Sequence, residues 1–186
     1  MSRIRVTLYP LRRMGVYTEA VLPALPVALA LILAWPPPPA WAHPAAPAFT
    51  LRLLDGNKTL DSRSYLGKSV LVVRFQASWC RVCVREAPGV ERSYRKYKPL
   101  GVEFVGIQVQ DTAAEALKFL RAHDATYPAG LDPTLKIANR FGFKGTPYTV
   151  VISRKGEMLA RIHGSADEAR LARAIDPLLA PAKNPR

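Results

Sequence analysis

Cys80 and Cys83 are the residues of this 186-residue chain whose type and spacing point most directly to chemistry, and the chain has no other cysteines. A bridge between them closes a loop too short to add much stability through chain entropy, so a structural staple accounts poorly for the pair. A small scaffold held by disulfides needs several bridges spread along its length. A zinc site needs four ligands, and the pair supplies half of them. His43, His123 and His163 are scattered, none at a ligand spacing from the cysteines. Thiol–disulfide exchange remains: one thiolate attacks a disulfide, and the second sulfur resolves the mixed disulfide that forms.

That chemistry depends on the elements that position the sulfurs. The run SVLVVRFQAS, residues 69–78, is continuous, apolar and β-branched, as expected of a strand buried on both faces. After Trp79 the pattern predicts a helix to about Tyr97, so the cysteines fall at a strand–helix junction. Backbone N–H groups at a helix start lack partners and the helix dipole is positive there. Cys80 is therefore expected to ionise more readily than a free thiol, with the Arg81 charge beside it. Cys83, one turn deeper, is the expected resolving sulfur.

The remaining pattern supplies a frame. FTLRLLDGNKTLDS predicts a hairpin about Asp55-Gly56-Asn57, and Gly101 to Gln110 a second central strand. Thr112, with Glu115 three residues on, caps a helix. Tyr127 to Asp132 reads as a short extended piece, and Thr134 to Phe141 as a short helix ended by Gly142. Thr146 to Ile152 and Glu157 to His163 are expected strands joined at Lys155-Gly156, and Asp167 to Leu179 a closing helix. The fold class is α/β: a central mixed sheet flanked by helices, with an N-terminal β-hairpin extension, over residues 49–180.

Residues 1–42 read as an address. Basic residues up to Arg13 precede an apolar run from Val21 to Trp35, then prolines and Ala40-Trp41-Ala42. That order describes a secretory signal peptide cleaved after Ala42. The run is shorter than the roughly 20 residues a spanning helix needs, and Pro23 and Pro26 argue against a core helix. An uncleaved leader acting as an N-terminal membrane anchor is the alternative, and Met14 is an alternative start. Arg12-Arg13 lacks the hydrophobic pair that a twin-arginine signal has after it. Residues 43–48 form a proline-rich linker, and 181–186 a flexible tail. The net charge of +13 could steer the chain toward anionic partners or membrane faces, but surface charge serving solubility and encounter rate is the preferred reading. No interleaved aromatic platform or nucleic-acid motif accompanies it, so no nucleic-acid partner is expected.

VLVVRFQASWCRVC, continued by VREAP and followed downstream by GTPYTVVI, resembles the thioredoxin superfamily, and more narrowly the exported TlpA/ResA type. The similarity runs from about Phe49 to the last helix. It implies a thiol–disulfide oxidoreductase without a bound cofactor or metal, working outside the cytoplasm on client proteins with cysteines. Its electrons would come from a membrane thiol reductant, and cytochrome c maturation or copper-site assembly are the implied settings. It further implies a cis peptide at Thr146-Pro147 which, with Trp79, forms the substrate groove. Pro88 would be a helix kink, and Glu86 a carboxylate beneath the cysteines that influences their proton transfers. Arg74 departs from the pattern, since thioredoxins usually carry Asp six residues before the first cysteine. A buried arginine must be paired, and Glu86 is the expected partner. Gln76 is polar where an apolar residue is common.

Two other functions stand beside this one. A peroxiredoxin-like thiol peroxidase needs Pro-x-x-x-Thr-x-x-Cys, and this chain has Val73 and Ala77 at those places. A copper chaperone needs wider cysteine spacing and a histidine ligand, for which His163 is the candidate.

Overall fold

The computed structural model describes residues 43–56 and 58–179. The leader or anchor over 1–42, the contribution of Asn57 to the hairpin turn and the tail over 181–186 lie outside the described residues.

Strands β1 (Thr50–Arg52) and β2 (Thr59–Asp61) pair antiparallel as the expected hairpin. The main sheet contains β3 (Val70–Gln76), β4 (Val102–Val109), β5 (Ala129–Asp132), β6 (Tyr148–Ile152) and β7 (Met158–His163). Their order is β5-β4-β3-β6-β7, with β3, β4 and β5 mutually parallel and β6 and β7 antiparallel. Helices α1 (Arg81–Tyr97) and α2 (Ala113–Ala122) carry the chain between the parallel strands, and α3 (Glu168–Leu179) ends it. This is a thioredoxin-like fold with a mixed central sheet.

All seven residues of β3 are buried. Leu71, Val73 and Phe75 join Phe49, Leu51, Phe141 and Tyr148 in one apolar cluster. Val70 and Val72 join Val90, Tyr94 and Tyr97 of α1 and Leu171 and Ile175 of α3 in another. The three helices thus cover one face of the sheet, and the hairpin with residues 138–141 covers the other. Each fully buried aliphatic or aromatic side chain contributes about 1.5–3 kcal/mol, so the strand that delivers the cysteines is also the best anchored.

Thr134 to Phe141 departs from the expectation of a helix. Leu135 takes a left-handed backbone (φ 59°), which interrupts helical hydrogen bonding, and only Ala138–Phe141 form one 3-10 turn. The Asp132 carboxylate accepts from the Ile137 and Ala138 N–H groups and fixes that turn.

Residues N-terminal to β3 also touch the sheet's margins. Leu53 bridges Gly130 of β5, and the Leu54 N–H donates to the Ala129 carbonyl. A side chain at Gly130 would strike the Arg52 carbonyl, so this close approach requires glycine. At the opposite margin Ala45 bridges Glu157, and the Met158 N–H donates to the Pro44 carbonyl.

Candidate active site

Cys80 and Cys83 are joined by a disulfide with their Cα atoms 5.2 Å apart. Cys80 is the N-cap of α1, in extended conformation, and its Sγ accepts the Cys83 N–H at 3.1 Å. A sulfur thus stands where a capping oxygen usually does, in front of unpaired N–H groups. No acid lies in the first turn of α1 to oppose the helix dipole. Cys80 is 6% exposed and Cys83 1%. Both residues are buried, and the less buried one is at the helix start, the place of the attacking cysteine.

The loop before the cysteines is held from β4. The Ser78 N–H and Oγ–H donate to the two carboxylate oxygens of Asp111, at 2.7 and 2.9 Å. The Trp79 indole Nε1–H donates to the Gln110 carbonyl at 3.2 Å, while the residue as a whole stays 58% exposed. Gln110 has a left-handed backbone (φ 50°). Sequence reasoning missed Asp111 as a clasp, because an acid after a strand looks like any turn residue.

The Thr146–Pro147 peptide is cis. Tyr148 pairs with Phe75 in register, which places Pro147 at the end of β3 from which the cysteines follow. Pro147 is buried and its carbonyl accepts the Gly164 N–H. His163 stacks on the Tyr148 ring, with centroids 4.3 Å apart. Among the described residues, no group of three or more His, Cys, Asp or Glu side chains is placed to hold a metal ion.

Beneath the cysteines the helix-covered face is polar. Arg74, 2% exposed, donates from Nη2 to Glu86 Oε2 at 2.6 Å and from Nη1 to Thr149 Oγ1 at 3.0 Å. The other Glu86 oxygen accepts from the Ser165 hydroxyl and the Ala166 N–H. Glu86 therefore ties α1 to β3 and to the segment before α3. All its hydrogen bonds go to these groups and none to either sulfur. The Arg74 pairing is the one expected from burial; Ser165 and Ala166, about eighty residues away, carry no local signal.

Gln76 hydrogen-bonds the Tyr127 hydroxyl. Burial pushes that hydroxyl above its usual pKa, with Gln76 and the Arg74 charge pulling the other way. Gln108 lies level with Gln76 on β4, fully buried, with neither its amide nitrogen nor its oxygen bonded to a protein group. It lies in the expected central strand over Gly101 to Gln110, and nothing in that segment of sequence singles it out.

Residues 43–161 match the model of the AhpC/TSA family. The chain belongs to that family. It is 33% identical over 144 residues to the thiol:disulfide interchange protein HelX of Rhodobacter capsulatus, covering 77% of this chain and 80% of HelX. It is 28% identical over 126 residues to the thiol-disulfide oxidoreductase ResA of Bacillus thuringiensis, covering 68% of this chain and 72% of ResA. A structure described as a putative thiol:disulfide interchange protein DsbE from Chlorobium tepidum superposes with a TM-score of 0.68 at 27% identity, covering 75% of this chain and 98% of that one. The chain is a thiol–disulfide oxidoreductase of this ResA, HelX and DsbE type.

Proposed function

We propose that this protein reduces disulfides in client proteins outside the cytoplasm, through the Cys80/Cys83 dithiol. The observation that carries the reading is the disulfide seated at the N-cap of α1, beside exposed Trp79 and on the strand-end shared with cis-Pro147. Cys80 attacks the client disulfide, and Cys83, buried in the first turn of α1, resolves the mixed disulfide and releases the reduced client. Trp79, Thr146 and Pro147 form the groove that holds the client chain. No cofactor beyond the cysteine pair takes part. A membrane thiol reductant returns the pair to the dithiol. The secretory pattern of residues 1–42 supports work beyond the cytoplasmic membrane, as a free or a tethered protein. Among the described residues no helix is long and apolar enough to cross a membrane, so a tether would belong to the leader. Cytochrome c maturation and copper-site assembly are the settings in which such a reductant serves.

The test is insulin reduction together with the reduction potential of the couple. The dithiol should precipitate insulin, Cys80→Ser should abolish this, and the potential should lie near thioredoxin's, about −270 mV. A value near −120 mV, that of a strong oxidant, overturns the direction of electron flow.

Glu86 bears two demands. A proton acceptor for the resolving thiol must exchange protons, whereas the partner of Arg74 must stay ionised. Glu86→Gln separates them. Slower exchange with a displaced pH profile supports the acceptor role, and unchanged kinetics at every pH excludes it.

A further inference from the structure

The exposed side chains around the disulfide include apolar Trp79 and Val84 and positive Arg81, Arg85 and Lys144. On α1, Cys83, Ala87 and Val90 are buried, and the opposite stripe, Arg81, Val84 and Arg85, is exposed. Val84 is 38% exposed and Trp79 58%, two of the exposed large hydrophobic side chains of the described residues. Lys144, two residues before Thr146, is exposed on the other side of the groove. Among the described residues Arg81, Arg85 and Lys144 form no ion pair. Among the described residues Arg63 is matched with Asp61, Arg92 with Glu168 and Arg95 with Glu91. Arg121, Arg140, Arg161 and Arg173 are exposed without an ion pair among these residues, so the rim is set apart by the apolar centre its charges surround.

The acids near the groove are differently placed. Asp111 is buried and occupied by Ser78, Glu86 is held by Arg74, and Asp167 accepts the Arg170 N–H. Glu115, in the first turn of α2, is the exposed acid on the Trp79 side. The rim thus presents three unmatched positive charges around an apolar centre.

We propose that this rim selects client segments in which the reacting cysteine is flanked by acidic residues. The inference rests on the reductase reading above and names the substrate class for it. Trp79 and Val84 cover the client chain next to its cysteine, and Arg81, Arg85 and Lys144 meet carboxylates a few residues to either side. Opposite charges raise the encounter rate, and ions screen the effect. The chemistry balances without a further reagent. The Cys80 thiolate forms a bond to one client sulfur as the client S–S bond breaks, and the departing sulfur takes a proton. The Cys83 thiolate then attacks Cys80 and expels the first client sulfur, so two electrons and two protons pass from the dithiol to the client.

The experiment uses the reduced full-length protein and three synthetic disulfide peptides, identical but for glutamate, lysine or serine on both sides of the cysteines. At low ionic strength kcat/KM should be at least about tenfold higher for the glutamate than for the lysine peptide. The preference should largely vanish at about 1 M salt, where screening is complete within a few Å. Arg85→Glu with Lys144→Glu should abolish or reverse it, each rate being taken relative to that of the serine peptide with the same variant. Equal rates on the charged peptides, with the serine peptide still reduced, overturn the inference and leave the reductase reading standing. So does an unaltered preference in the double variant. Tight binding to anionic phosphatidylglycerol vesicles without a peptide preference assigns the charge to a membrane surface and overturns it too. No reduction of any peptide overturns both readings.

Discussion

Leu71, Val73 and Phe75 of β3 point to the hairpin-covered face of the sheet, while Arg74 and Gln76 lie on the helix-covered face, level with Gly106 and Gln108 of β4. Both sides are buried. The first is apolar apart from the Tyr148 hydroxyl, which donates to the Phe141 carbonyl, and Phe75 packs there against Phe141, Phe143 and Tyr148. The second, at the cysteine end, holds an ion pair, two carboxamides and a phenol. The contrast separates two duties of one strand. Apolar packing fills the hairpin-covered side along the whole strand, whereas on the helix-covered side it gives way to polar groups toward the cysteine end.

The largest effects should test whether these two sides fail differently. Phe75→Ala should cost about 3–5 kcal/mol, as a cavity in a packed core does. Glu86→Ala should cost a similar amount, about 3–5 kcal/mol, because it strands a buried guanidinium. Replacing both partners, Arg74→Met with Glu86→Leu, should restore most of that loss, whereas the hairpin-covered side has no such paired rescue. The recovery should fall short by about 1–3 kcal/mol, since the Ala166 N–H is left without its acceptor. Urea denaturation of the four proteins measures all of this, and a double variant no better than Glu86→Ala would erase the distinction.

A smaller effect, of opposite sign, is expected at Gln108. Leucine there removes two buried polar atoms that no protein group satisfies, and should stabilise the fold by about 1–3 kcal/mol. A fall in the urea midpoint would mean that the carboxamide is satisfied in solution.

The smallest effect calibrates the buried ion pair against an exposed one. Arg92 holds the Glu168 carboxyl below its ordinary pKa of 4.5, by hydrogen bond more than by charge. A carboxyl depressed on folding contributes stability above its unfolded pKa, and loses it as pH falls through the folded value. Both side chains are about half exposed, so Glu168→Gln should cost only about 0.2–1 kcal/mol at pH 7. The difference from the parent should shrink as pH falls below 4.5 and through the lower folded value, and in high salt. A pH-independent loss would point to packing instead.

The apolar side was readable from the sequence to a greater extent than the polar side. Periodicity and β-branching marked β3, β4 and β6, and the junction at Trp79-Cys80 located the cysteines within one residue of the observed helix start. The Arg74–Glu86 pairing followed from the physical cost of an unpaired buried charge. Gln108, Asp111 and Ser165 were not readable, because their significance depends on neighbours supplied by distant segments. The helix expected over Thr134 to Phe141 failed at Leu135, whose left-handed backbone no residue-type rule anticipates.

The short contacts that residues 44–54 make with the sheet's margins bear on self-association. A strand at the border of a sheet exposes unsatisfied backbone donors and acceptors, and invites another chain to pair with it. Leu53 and Leu54 occupy the border at β5, and Pro44 and Ala45 occupy the start of the border at β7. One stretch of chain therefore blunts both ends of the five-stranded array. Shortening the protein past Leu54 would leave outer backbone groups of β5 and of the start of β7 unpaired and open to another chain, so the shortened protein should self-associate more readily than the parent.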